Sequence, residues 1–93
     1  MKRYKTRPGV VMTTIGGQYI LVAAKTAREH CPFKMLINET AAFCWQLLEE
    51  GADMDTLAAA LAKEYELEDA SVLLDDVQDL VGQLEKFGYL IDA

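Results

Sequence analysis

Apolar and polar positions keep one rhythm as far as Asn38 and another beyond it. Between residues 9 and 37 the apolar positions fall in short β-branched and aromatic runs separated by turn residues, which marks strands. Gly9-Val10-Val11-Met12-Thr13-Thr14-Ile15 predicts a first strand, and Gln18-Tyr19-Ile20-Leu21-Val22-Ala23 predicts its return. Gly16-Gly17 between them suits a two-residue hairpin turn, because glycine tolerates positive φ. Residues 25–32 are polar and close on Pro32, and they predict a loop. Phe33, Lys34, Met35, Leu36 and Ile37 then predict a short third strand. Pro32 lacks an N–H, so it fits an edge strand or a strand's first position.

After Asn38 the apolar spacing becomes helical. Asn38 is a good N-cap with Glu39 in the first turn, and Ala41, Cys44, Trp45 and Leu48 form one stripe ending at Gly51. Asp53 caps a second predicted helix with Asp55 in its first turn and Leu57, Ala58, Leu61 and Tyr65 inward. A third begins at Asp69 or Ser71, faces inward with Leu73, Val77, Leu80, Leu84 and Phe87, and ends at Gly88. Tyr89-Leu90-Ile91 predicts a short extended tail packing back. The expected class is α+β, a three-stranded antiparallel sheet followed by three helices. Three strands cannot cover both faces of their own sheet, so the helices must pack on one.

Ninety-three residues make one domain, and 52% apolar with 26% charged residues is a globular composition rather than a disordered one. No apolar run exceeds six residues, the length of Tyr19 to Ala24, against the ~20 that a membrane helix needs. The basic start, Met1-Lys2-Arg3-Tyr4-Lys5, has the flavour of a signal peptide, but Thr13, Thr14, Gly16, Gly17 and Gln18 break the apolar stretch that should follow. A cytoplasmic protein is expected, without a membrane partner and with Cys31 and Cys44 as free thiols.

Catalytic and metal chemistry find little support. His30 beside Cys31 lacks an orienting third group and an oxyanion device, and Ser71 is the only serine. His30, Cys31 and Cys44 are three soft ligands where structural zinc takes four. Asp53 and Asp55 resemble the start of a calcium loop, but Ala58 stands where that loop needs glycine; helix capping explains both acids. Asp75, Asp76 and Asp79 read as a solvated acidic face. No catalytic residue, metal site or cofactor is expected.

The net charge of −6 is unevenly spread. Residues 1–34 hold seven bases and one acid (+6), whereas residues 35–93 hold fourteen acids and two bases (−12). Strands with three helices can form a winged helix-turn-helix, whose third helix enters DNA. Here that helix would bring Asp75, Asp76, Asp79 and Glu85 against phosphates, with only Gln83 and Lys86 helpful. The fold is compatible with the sequence; a nucleic-acid partner is not expected. A short sheet with a free edge can instead accept a peptide as an added strand.

Leu36-Ile37-Asn38-Glu39-Thr40-Ala41-Ala42, then Trp45, Leu48 and Gly51, resemble the "L-N-x-T-A-A … W … L … G" stretch of PqqD-like proteins. Asp53, Leu57, Ala58, Leu61 and Tyr65 resemble the next helix of that pattern, and Asp76-Val77, Leu80, Leu84, Gly88 and Leu90 its close. Arg7-Pro8-Gly9-Val10 and Gly17 fit its opening strands. The likeness runs from about Arg7 to Ile91, within a single domain of residues 1–93. It implies a winged helix-turn-helix that does no chemistry and binds the leader of a ribosomally made, post-translationally modified precursor peptide. The leader would add as a strand beside the third predicted strand and against the third helix. The domain would then present the precursor to a modifying enzyme, often a radical S-adenosylmethionine protein.

The expected peptide-binding residues are thus Phe33, Lys34, Met35, Leu36 and Ile37, with Leu74, Gln78, Val81 and Glu85 as a second stripe on the third helix. The alternative is a DNA-binding or purely structural winged-helix domain. The sequence leaves a homodimer through the free edge open.

Overall fold

Gly16 and Gly17 stand at φ 60° and 79° and close a tight hairpin between β2 (Val10–Ile15) and β3 (Gln18–Ala23) in the computed structural model, which describes residues 2–93. Met1, part of the basic start, lies outside the described residues. The hairpin register pairs Ile15 with Gln18 and Val10 with Ala23. β4 (Lys34–Ile37) pairs antiparallel with the other side of β3, from Val22 opposite Lys34 to Tyr19 opposite Ile37. The order β2-β3-β4 leaves β4 at an edge. Phe33 falls just outside β4, although its carbonyl accepts from the Ala23 N–H at 2.7 Å. The predicted loop before it contains one 3-10 turn, Ala27–Glu29.

Both predicted N-caps form. Asn38 Oδ1 accepts from the Ala41 N–H at 2.8 Å to open α1 (Glu39–Glu50), and Asp53 Oδ1 accepts from Thr56 at 2.7 Å to open α2 (Met54–Glu64). Gly51 ends α1 at φ 96°. Asp69 caps a 3-10 turn, Ala70–Leu73, and α3 (Leu74–Lys86) follows it.

Part of the basic N-terminal segment is a strand that no apolar period marks. β1 (Tyr4–Thr6) pairs antiparallel with β5 (Leu90–Asp92), the predicted tail, in a separate two-stranded sheet. Tyr4 also exchanges two backbone hydrogen bonds with Ala52, at 2.8 and 2.9 Å, which ties this ribbon to the α1–α2 connection.

One core holds these layers together. Trp45, Leu48 and Cys44 from α1, Leu57 and Leu61 from α2, Val77, Val81 and Leu84 from α3, and Leu21 and Tyr89 are all essentially inaccessible. Three expectations need correction. Tyr65 is exposed, because it ends α2 and its hydroxyl lies 2.8 Å from Thr40 Oγ1. Phe87 is exposed and Leu80 half-buried, whereas Val81 is fully buried. A helix advances about 100° per residue, so Val81 lies about 40° to one side of Val77 and Leu80 about 60° to the other. The buried stripe is Val77, Val81 and Leu84, and Leu80 flanks it.

Candidate functional site

Side chains alternate faces along β4 and its backbone groups alternate edges. The Phe33 carbonyl already bonds to β3, so antiparallel pairing aims the N–H and C=O of Met35 and Ile37 at β3 as well. The N–H and C=O of Lys34 and Leu36 therefore point outward, and no backbone partner meets them among the described residues. Such a row is a ready template for another strand. Met35 and Ile37 turn half-buried side chains toward the helices, while Lys34 and the 59%-exposed Leu36 face outward.

Below this edge lies a hollow of about 130 Å³, walled by Met35, Leu36 and Ile37 on one side, Leu80, Gln83 and Leu84 on the other, and Asn38 and Ala41 at the end. A second, of about 290 Å³, shares Asn38 and Leu80 with it and continues past Thr40, Leu61 and Val77 to Asp76 and Asp79. Together they make a trough along the flank of α3. Beneath the open edge its walls are mostly apolar, with Gln83 and Asn38 among them, and at the far end they become acidic.

The nine expected binding residues do not share one surface. Met35, Leu36 and Ile37 line the trough and Lys34 stands on its open edge, while Phe33 just precedes them with the Arg28 guanidinium 4.0 Å from its ring centre. Leu74 and Gln78 instead line a third hollow, about 300 Å³, with Lys2, Tyr4, Met54 and Asp55. Glu85 pairs with Lys2 at 3.1 Å, and Val81 is inside the core. The trough is lined instead by Leu80, Gln83, Asn38 and Ala41, none of which the sequence reading singles out for binding. Leu80 is an apolar signal of this wall in the sequence, and helical spacing alone places it in the core.

Chemistry elsewhere is sparse. Cys31 Sγ donates to the Ala27 carbonyl at 3.2 Å, and burial pushes both thiols up, that of Cys44 to about 11. Neither is poised as a thiolate. Among the described residues no group of three or more His, Cys, Asp or Glu side chains could hold a metal ion. Among the described residues no helix is long and apolar enough to cross a membrane.

The family model of coenzyme PQQ synthesis protein D (PqqD) matches residues 34–90, more than half the chain and the whole of the trough. The chain belongs to the PqqD family. PqqD-family domains are non-catalytic. The winged helix-turn-helix architecture is shared by solved structures. One is TbiB1 in complex with the TbiA(β) leader peptide, 23% identical, with a TM-score of 0.71 over 92% of this chain and 93% of that one. Another is a lasso peptide synthetase B1 complexed with the leader peptide, also 23% identical, with a TM-score of 0.72 over 95% and 96%. Among curated proteins none matches the chain.

Proposed function

We propose that this PqqD-family domain binds the leader of a ribosomally made precursor peptide as a strand added to β4, and presents the precursor to a separate modifying enzyme. The observation that carries this reading is the outward-facing N–H and C=O pairs of Lys34 and Leu36 above the trough. An added strand meets four backbone groups there. Its alternate side chains then drop between Met35 and Ile37 on one wall and Leu80 and Leu84 on the other. Phe33, Lys34, Met35, Leu36 and Ile37 keep their proposed roles, with Leu80 and Gln83 as the helix wall. Two proteins of this fold that were solved with leader peptides support the reading.

The receiving enzyme in this proposal is a radical S-adenosylmethionine protein, as the family resemblance implies. A second reading, favoured by the lasso peptide synthetase B1 of the same fold, is an enzyme of lasso-peptide synthesis. DNA is disfavoured as the partner, because the exposed positions of α3 carry Asp75, Asp76, Asp79 and Glu85.

The test is titration of labelled protein with the leader of the precursor encoded beside its gene. Amide shifts should concentrate at residues 33–37 and on the Leu80 flank of α3. Shifts confined to the hollow of Lys2, Leu74 and Gln78 would refute strand addition.

A further inference from the structure

Among the described residues nothing covers the outer face of the sheet. Antiparallel partners share a face, so Val11, Val22 and Lys34 form one row across the three strands, and Thr13, Ile20 and Leu36 form the next. The helices pack on the opposite face, where Leu21, Ala23 and Met35 meet the core. Val11 is 61% exposed and Leu36 59%, with Ile20 and Val22 half-buried between them. Solvent-facing strands normally alternate polar residues outward, and this face does the reverse at four of six positions.

Its electrostatics are as one-sided as its polarity. β2, β3 and β4 contain no carboxylate, and Lys34 stands on the face. Lys25 and Arg28 lie in the β3–β4 connection, at the same end of the sheet as Lys34. A second copy seated face to face would offer these cations no carboxylate from its own three strands. The surface that fits is apolar at its centre and carries carboxylates at its rim.

The face also runs into the proposed peptide edge. A strand added beside β4 extends the row Thr13, Ile20, Leu36 by one outward-facing side chain. We propose that the outer face of the β2-β3-β4 sheet, centred on Val11, Ile20, Val22 and Leu36, docks an apolar, acidic-rimmed surface of the modifying enzyme, which thereby touches domain and leader together. This rests on the reading above for the presence of the leader, but the face itself belongs to the domain alone. Because the footprint spans both, leader and enzyme must tighten one another by the same factor.

The test uses the full chain, the modifying enzyme encoded beside its gene, and that precursor's leader. Val11→Glu lies on β2, two strands from the peptide edge and on an exposed side chain, so folding and leader affinity should stay within about twofold of wild type. Enzyme association should fall at least tenfold. Lys25→Glu, away from both the peptide edge and the face centre, should slow association and reduce its salt dependence. Unchanged association with Val11→Glu, or no association of the wild-type chain, overturns the proposal. So does a wild-type dimer that Val11→Glu turns into a monomer, which would give the face to a second copy. If the leader fails to bind while Val11→Glu still abolishes enzyme association, the docking face stands and strand addition falls.

Discussion

The Tyr89 hydroxyl donates to the Pro32 carbonyl at 2.9 Å, and so ties the chain three residues past α3 to the chain two residues before β4. The two walls of the trough are thereby fixed at one end. Tyr89 is fully buried, its ring wedged into the core, and burial pushes its phenol up. Tyr89→Phe should keep the packing, lose one hydrogen bond and cost about 1 kcal/mol. Denaturant midpoints check this, and leader affinity should fall with it as the β4 edge loosens.

Leu80 and Val81 are neighbours in sequence with opposite duties. Val81→Glu puts an unpaired carboxylate in the core and should cost more than about 3 kcal/mol, enough to unfold much of the protein. Leu80→Glu meets the open trough and should leave the protein folded. It should weaken leader binding at least tenfold, ~1.4 kcal/mol. Circular dichroism melts and binding isotherms of both variants separate the two.

Gly88 adopts φ 87°, and a Cβ there would overlap the His30 carbonyl oxygen. Gly88→Ala combines a left-handed backbone with a backbone collision that no side-chain shift relieves. A loss of more than about 2 kcal/mol is expected. Gly82→Ala, in mid-helix with open space around its Cα, should instead be stabilising. Paired unfolding curves provide the check.

The Thr56 N–H holds the Asp53 carboxyl below its ordinary value of 3.8, and Ser71 does the same for Asp69. A carboxyl whose pKa is lower in the folded state binds fewer protons there than when unfolded. Its contribution is therefore complete above the ordinary carboxylate pKa and disappears as pH falls through the folded value. Thermal midpoints should drop as the pH is lowered below about 4. Asp53→Asn, which still caps but cannot titrate, should flatten that slope.

Much of this arrangement is legible in the residues themselves. Asn38 and Asp53 announce two helices because a side-chain oxygen before an apolar stripe satisfies an N–H that the helix cannot. Gly16-Gly17 fixes the hairpin, and β4 is read to within one residue because its apolar run is bounded by Pro32 and Asn38. What escapes is long-range or depends on phase. Tyr4-Lys5-Thr6 has no period to betray a strand; it becomes one only by pairing with Leu90, Ile91 and Asp92 at the far end of the chain. On α3, leucines flank the buried stripe on both sides, and sequence cannot say which flank meets β4. A stripe begun at Leu73, inside the 3-10 turn, favours Leu80 over Val81. Packing against α2 and β5 settles it the other way.

Hydrogen exchange at the β4 amides, read residue by residue with and without the leader, tests strand addition most directly. In the free protein the N–H groups of Met35 and Ile37 are already bonded to β3, while those of Lys34 and Leu36 face out. Leader binding should slow exchange at Lys34 and Leu36 sharply and leave Met35 and Ile37 nearly as they were. Protection that ignores this alternation, or that appears at β1 and β5 instead of β4, would contradict the account.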